Sequence, residues 1–441
     1  MGMNGADIKK AWYYLKKNGM KHTFYASCER LSKASRMPYC YVDLLDEELR
    51  IQSTYEFAKK PFFSILVPMY ETDKAYAEAM IDSVLTQTYP HFELILADAS
   101  MSDTVKEVVE RYQDPRIRYV KVLENKGISA NTNVALQEAK GDYIALLDHD
   151  DLLTKDALFC VALKICEGAE QGHTYAFLYS DEDKCNADAT RFYDPNIKPD
   201  FNLDLLLSNN YICHFLVMEA ELIKNLTFRS EYDGAQDYDL VLRAYAKTAK
   251  EDKKEIGHIN RVLYHWRCHE NSTAANPQSK LYAYEAGLHA VEDFLKQINT
   301  KALVSHTKHN GFYRVEYGST GLNRQEKAEA VFTERKDVGA LAGSIYKGNK
   351  IVSGILDENG TCLYKGLNRH FSGYLHRAHM QQDCMAADVR NLSVRKELRP
   401  ILDEMLMREK PLNEEQTIRV SVLFCEEVRK KGYRILWDPF F

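Results

Sequence analysis

Between Phe62 and Asp151 short apolar runs alternate with helix-like stretches, and this alternation restricts the fold more than any other feature of the chain. FFSILVP, FELILAD, IRYVKVL and DYIALLD read as strands. AYAEAMIDSVLTQTY, TVKEVVERY and SANTNVALQEAKG, the last closed by Gly141, read as the helices between them. The order βαβαβαβ predicts an α/β fold with an open, mostly parallel sheet and helices on both faces. Ligands of such sheets bind beyond the carboxyl ends of the strands. Those ends carry Pro68, Tyr70 and Glu71; Asp98, Ala99 and Ser100; Asn125, Lys126 and Gly127; and Asp148, His149, Asp150 and Asp151.

The last group sits in LLDHDDLL, three carboxylates framed by leucines. Carboxylates crowded together and withdrawn from water need a compensating cation or a solvated turn. No GxGxxG and no GxxxxGK[ST] accompanies the strands, so a bound diphosphate has to be neutralised by other means. A divalent ion fits, because Mg²⁺ and Mn²⁺ take oxygen ligands and Mg²⁺ typically uses one or two carboxylates plus phosphate and water. Asp148 and Asp150, two apart at a strand end, are the candidate pair. Asp151 is expected to cap a helix starting near Lys155. His265 and His269, four apart, would face one way on a helix, although such histidines are more often structural.

VPMYE, LADASMSD, NKGISANTNVAL, GDYIALLDHDDLL, LYSDEDK, DGAQDYDLVLR and LYHWRCHENSTA follow one another in the chain. In this order they resemble family 2 glycosyltransferases of the GT-A fold, a Rossmann-like architecture, and in particular cell-surface polysaccharide enzymes of the O-antigen and rhamnan type. The resemblance covers about residues 60 to 295. It implies a donor nucleotide held by Pro68, Tyr70, Glu71, Asp98, Ser100, Asn125, Gly127, Asn131 and Asp148, with Tyr70 on the base and Asp98 accepting from an imide N–H of uracil or thymine. It implies Mn²⁺ or Mg²⁺ on Asp148, Asp150 and His269, Asp237 as general base, and Asp181, Asp183, Gln236 and Trp266 near sugar and acceptor. Glu71 departs from the pattern, where Asn is usual. The implied reaction is inverting transfer from a nucleoside-diphosphate sugar, UDP- or dTDP-linked, to a surface polysaccharide or lipid-linked glycan. The SDEDK segment reads equally as a solvated acidic loop.

Three domains are expected, a basic helical N-terminal arm over 1–58, the GT-A domain over 59–298 and a smaller α/β domain over 299–441. Residues 1–40 hold eight Lys or Arg and two acids in a chain of net charge -6. DIKKAWYYLKKNG places Ile8, Trp12 and Leu15 on one helical side flanked by lysines, which would either pack on the next domain or lie on an anionic membrane. HNGFYRVEY, KDVGALAGSIY, GYLHRAH and KKGYRILWDP resemble the later half of a second transferase domain that lacks its DxD half. Ser421 and Leu423 stand where relatives carry base residues, so this domain is expected to be inactive and to serve packing, dimer formation or acceptor binding. Ten scattered cysteines without a CxxC read as reduced core residues. No apolar run is long enough to span a bilayer, and MGMNGADIKK lacks the core of a signal peptide, so a cytoplasmic protein, peripheral at most, is expected. No nucleic-acid partner is expected, and a homo-oligomer is compatible with the composition. The competing readings are a non-catalytic donor-binding assembly protein and a sugar nucleotidyltransferase, for which VPMYETDK is a weak match.

Overall fold

The computed structural model describes residues 5–32, 39–249, 251–269 and 281–441, with side chains from Trp12 onward. Two compact units divide the chain: Pro38–Phe201 with Tyr211–Phe294, and Met1–Met37 with Asn202–Asn210 and Leu295–Phe441.

The larger unit is built on a nine-stranded sheet. Its strands are β1 (Phe63–Met69), β2 (Phe92–Asp98), β3 (Ile117–Lys121), β4 (Tyr143–Leu146), β5 (Leu152–Leu153), β6 (Thr174–Asn186), β7 (Phe192–Asn196), β8 (Leu216–Glu219) and β9 (Lys254–Cys268). They run in the order β3-β2-β1-β4-β8-β6-β9-β5, with β7 on β6. The first four are mutually parallel, whereas β8 inserts antiparallel between β4 and β6. The expected α/β class is therefore observed. Every residue of β2 is buried, as in an interior strand covered on both faces.

Register brings the strand ends to one edge. Met69 pairs with Asp98 and Asp98 with Lys121, while Leu66 sits opposite Leu146. Gly141, just before β4, is required by close approach, since a Cβ there would lie 2.5 Å from Ser64 N and 2.8 Å from Phe62 O. Ser64 Oγ in turn accepts from Gly141 N at 2.8 Å and donates to Glu93 Oε1 at 2.7 Å. This buried latch fixes β4, and with it the acidic motif, against β1.

Two local expectations are corrected. SDEDK is not a loop but the continuation of β6, its three acids all buried. His265 lies on a strand, β9, so the helical i, i+4 relation to His269 does not arise. Both corrections have one cause: β6 and β9 are long parallel partners, paired from Thr174 with Lys254 to Asn186 with Cys268. Their backbone groups are satisfied by each other rather than by turns or helix.

In the smaller unit a four-stranded sheet runs Gln382–Asp383, Arg434–Trp437, Val338–Ala342, Leu392–Val394. Helix Glu414–Lys430 packs Phe424, Cys425 and Val428 into the core that holds Trp437. Ser421 is fully buried, donating to Thr417 O at 2.8 Å and accepting from Val389 N at 3.1 Å, a structural role. No helix among the described residues is long and apolar enough to cross a membrane, and all ten thiols are free.

Candidate active site

The carboxyl edge of β1 to β4 gathers most of the expected donor residues. Tyr70 follows β1 with its ring 49% exposed, open to a stacking partner. Glu71 has a φ of 46° and a carboxylate that accepts from Ser102 Oγ at 2.8 Å and Met101 N at 2.6 Å. The Ser102 hydroxyl and the Met101 N–H hold its pKa below the ordinary carboxylate range. Pro68 precedes it on β1, half-buried. Asp98 is fully buried at the end of β2. Its Oδ1 accepts from Ser100 N at 2.9 Å, and its Oδ2 from Tyr119 Oη at 2.7 Å and Lys121 Nζ at 3.3 Å. A carboxylate offers about four lone-pair sites, so three donors leave one acceptor position. Ser100 Oγ accepts the Glu71 N–H at 2.8 Å and ties the two strand ends together.

After β3, Asn125 Oδ1 accepts from Gly127 N at 3.1 Å and Asn131 Nδ2 at 3.0 Å. Asn131 is buried, and its own Oδ1 has no hydrogen-bond partner. Gly127, at φ 96°, cannot carry a side chain: a Cβ would stand 2.1 Å from Asp233 Oδ2. The Asp233 carboxylate accepts Ser129 N at 3.1 Å, at the start of helix Ile128–Glu138.

The acidic motif does not close as expected. Among the described residues, the group whose ligating atoms all lie within 4.8 Å is Asp148, Asp151 and His214, not Asp148, Asp150 and His269. Asp150 meets His269 separately, Oδ2 to Nε2 at 2.8 Å. Asp151 is not a helix cap. The following helix runs Ala157–Glu170, and Asp151, fully buried, accepts Tyr264 Oη at 2.6 Å and Arg267 N at 2.7 Å. Burial, then the charges of Asp150 and Asp148, push its pKa well above the ordinary carboxylate value, so crowding disfavours a third negative charge here. Carboxylate oxygens with imidazole nearby suit Mn²⁺ or Mg²⁺. Asp148 and Asp150 keep side-chain exposures of 45% and 20%, so of the three acids these two can meet a ligand from solvent.

Sequence reasoning missed what lies behind. The His214 imidazole sits 3.6 Å from Asp148 Oδ2 and 3.3 Å from Glu182 Oε2, stacked on Tyr264 at 4.6 Å. Burial opposes its protonation, but the Asp148 and Glu182 carboxylates outweigh it and raise its basicity well above the ordinary value. Lys198, its side chain wholly buried, approaches Glu182 at 3.6 Å and donates to Ile212 O at 2.9 Å. Glu182 is pulled down to about 2, burial being overcome by the Lys198 and His214 charges. The available signal was a lone histidine inside the apolar run YICHFLVM, and a lysine in NIKPDF facing apolar neighbours.

Asp237 occupies the first turn of helix Gln236–Thr248, Oδ1 accepting Tyr238 N at 2.8 Å. Burial and then the Asp237 charge raise the Cys213 thiol well above its usual range, which places Asp237 beside the residue preceding His214. Gln236 Oε1 accepts Gly234 N at 2.8 Å, and the half-buried Trp266 ring lies 5.9 Å from His214. Asp239 is clamped by Arg229 and Arg243 and is structural.

Asp181 and Asp183 do not reach the crevice. Asp181 accepts Lys198 N at 2.8 Å and pairs with His258 at 3.0 Å. Asp183 is shared by His265 and Tyr39, both at 2.5 Å; Asp183 and His265 are buried and Tyr39 is half-buried. His265 is thereby a core residue. Residues 270–274 of the HENSTA stretch lie outside the described residues.

A parallel-edged α/β sheet with an acidic, cation-seeking cluster at its carboxyl edge defines the class of the larger unit. Within it, residues 64–227 match the profile of Glycosyl transferase family 2, and the chain carries a family 2 glycosyltransferase domain. It is 42% identical over 248 residues to the uncharacterized protein y4gI of Sinorhizobium fredii, covering 55% of this chain and 26% of that one. It is 30% identical over 260 residues to the O-antigen biosynthesis protein RfbC of Myxococcus xanthus, covering 58% and 20%. The chain thus spans about a quarter of the length of these curated relatives. It is 29% identical over 220 residues to the Escherichia coli UDP-Glc:alpha-D-GlcNAc-diphosphoundecaprenol beta-1,3-glucosyltransferase WfaP, covering 49% and 82%.

Proposed function

We propose that the chain is a metal-dependent, inverting glycosyltransferase that takes a UDP- or dTDP-linked hexose or deoxyhexose and adds it to a growing surface polysaccharide or lipid-linked glycan. The observation that carries this reading is the surplus of carboxylates at the end of β4, Asp148, Asp150 and Asp151, one residue step from Asp237 through His214 and Cys213. Similarity to the O-antigen biosynthesis protein RfbC and to the glucosyltransferase WfaP supports the class of product.

In this reading Tyr70 and Asp98 hold the base, with Asp98 using its remaining lone pair, and the unpartnered Asn131 Oδ1 offers an acceptor to the ribose side. Asp148, Asp150 and His269 would hold Mn²⁺ or Mg²⁺, Asp148 and Asp150 being the two partly exposed acids of the motif and His269 the partner of Asp150. The bound ion would supply Lewis-acid stabilisation to the leaving diphosphate. Asp151, fixed by Tyr264 and the Arg267 N–H, and His214, backed by Glu182, orient the ligands from behind. Asp237 accepts the proton of the acceptor hydroxyl as it attacks, and its Oδ1 is aimed by the Tyr238 N–H. No covalent intermediate is required.

The test is a thermal-shift panel of UDP, dTDP, GDP and CDP with and without Mn²⁺, on wild type and Asp150→Ala. A native-state ligand at a hundredfold excess over Kd raises apparent stability by about 2.7 kcal/mol. A Mn²⁺-dependent shift with UDP or dTDP that the variant loses supports the assignment. Absence of a shift with every nucleotide returns the acidic cluster to a structural role.

A further inference from the structure

Just before β8 two consecutive side chains reach the two chemical halves of the crevice. His214 stands on the ion side, its imidazole 3.6 Å from Asp148 Oδ2. Cys213 stands on the base side, its thiol hydrogen-bonded to the Asp237 carboxylate. This short turn therefore connects the acidic motif at the end of β4 with the first turn of helix Gln236–Thr248.

Lys198 holds the turn from behind. Its side chain is wholly buried, and its ammonium donates to Ile212 O at 2.9 Å and to His214 O, with Glu182 Oε2 3.6 Å away. An ammonium has three N–H groups, and these three acceptors account for them. Glu182 completes the clamp by accepting the His214 N–H and, at 3.0 Å, Asn196 Nδ2, while standing 3.3 Å from His214 Nδ1. Lys198 is itself anchored to β6, its backbone N–H donating to Asp181 Oδ1 at 2.8 Å. Both carbonyls, the N–H and the imidazole of the turn are thus fixed by one buried pair.

Stability alone does not account for such a pair. Burying an ammonium and a carboxylate takes both out of water, and apolar side chains of similar volume often serve a fold as well or better. Apolar side chains cannot grip two carbonyls and an N–H at fixed points, because hydrogen bonds alone carry that directionality.

We propose that Lys198 is a positioning residue for glycosyl transfer: by holding the carbonyls of Ile212 and His214 it fixes the turn whose side chains meet the ion ligand Asp148 and the base Asp237, and so sets the distance between leaving diphosphate and attacking hydroxyl. This role rests on the reading of Asp148 and Asp237 given above. A single displacement needs both oxygens in line, and a shift of roughly 1 Å can cost about 10²-fold in rate.

Lys198→Met, alone and combined with Glu182→Gln, separates position from stability. The single variant strands the Glu182 carboxylate, whereas the double variant removes that charge and should regain the larger part of the lost stability in urea unfolding. Both should keep the Mn²⁺-dependent thermal shift with UDP or dTDP. Release of nucleoside diphosphate from UDP-glucose, UDP-galactose or dTDP-rhamnose should fall about 10²-fold in kcat, with KM changed less than about threefold. Iodoacetamide labelling reads the turn without turnover: Cys213 should react about tenfold faster or more in the double variant, and the buried Cys185 of β6 at its wild-type rate. Wild-type kcat in the double variant, an unchanged Cys213 rate, or Cys213 and Cys185 speeding up together overturns Lys198 as a positioning residue and leaves the transfer reading standing. A wild type that shows no Mn²⁺-dependent nucleotide shift overturns both. Should wild type turn over none of the three donors, the Cys213 rate decides.

Discussion

The two units treat buried acids in opposite ways. In the smaller unit each carboxylate of the central network meets a guanidinium: Asp204 is gripped by Arg335 at 2.6 and 3.0 Å, Asp337 by the same Arg335 at 2.9 Å, and Asp438 by Arg314 at 3.0 and 2.9 Å. At the end of β4 in the larger unit three consecutive-neighbour acids face two imidazoles and one guanidinium, Arg267, that spends itself on the carbonyls of Asp150 and Ala187. Closed networks hold a fold together; an open one keeps electrostatic free energy available for a ligand. The prediction with the largest effect breaks the open side. Asp237→Asn should lower transfer by about 10³-fold or more while leaving the nucleotide shift intact. Unchanged turnover would remove Asp237 as base.

The next variant breaks the closed side. Arg335→Leu strands Asp204 in the interior and should cost about 3–5 kcal/mol in urea unfolding, with nucleotide binding per folded molecule unchanged. A loss below about 1 kcal/mol would show that the network is not a stabilising one.

Glu182 tests a closed pair inside the larger unit. Its pKa is lowered from 4.5 to about 2, burial being outweighed by Lys198 and His214. A depressed folded value adds stability that is complete above pH 4.5 and drains away as pH falls towards 2. Glu182→Gln should therefore cost about 3 kcal/mol at pH 7 and little at pH 2, read from unfolding midpoints across pH. A cost that does not vary with pH would make the effect one of packing.

Much of the first half of this comparison was legible in the sequence. The strand ends Tyr70, Asp98, Asn125 and Asp148 could be located because period and turn residues are local signals. What escaped were partners contributed across the sheet. His214 arrives on the approach to β8, antiparallel between β4 and β6, and nothing in YICHFLVM reveals that it will stand 3.6 Å from Asp148. SDEDK misled for the same reason, because acids in sequence suggest solvent until His258, Lys198 and His265 are seen to close over them. Long-range pairing chose which acid stays exposed, and local composition does not encode it.

That choice can be sharpened at the metal ligands. Ala in place of His269 should weaken the Mn²⁺ dependence of nucleotide binding by about ten- to hundredfold, as loss of a direct ligand or its immediate support does. Ala in place of His214 should act mainly through Asp148 orientation, changing nucleotide affinity less while lowering thermal stability, because Glu182 loses a partner. The reverse ranking in a Mn²⁺ titration would move the ion inward, onto Asp148, Asp151 and His214.

The smallest effect probes an acid of the smaller unit whose pairing with guanidinium is incomplete. Asp383 receives Arg434 Nη1 on Oδ2 at 2.9 Å, but its Oδ1 has no hydrogen-bond partner and Asp204 lies close by. Burial first, then the Asp204 charge, lift its pKa from 3.8 to about 7 against the pull of Arg434. A raised carboxylate is neutral in the folded protein where it would be ionised in the unfolded chain. The stability it permits is complete below pH 3.8 and is lost as pH rises through 7. Asp383→Asn keeps the group neutral throughout, so it should stabilise by about 1 kcal/mol at pH 8 and by nothing measurable near pH 4, opposite in sign to Glu182→Gln. Destabilisation at pH 8 would mean that Arg434 holds Asp383 ionised after all, and that the smaller unit's pairing of acids with guanidinium extends to Asp383.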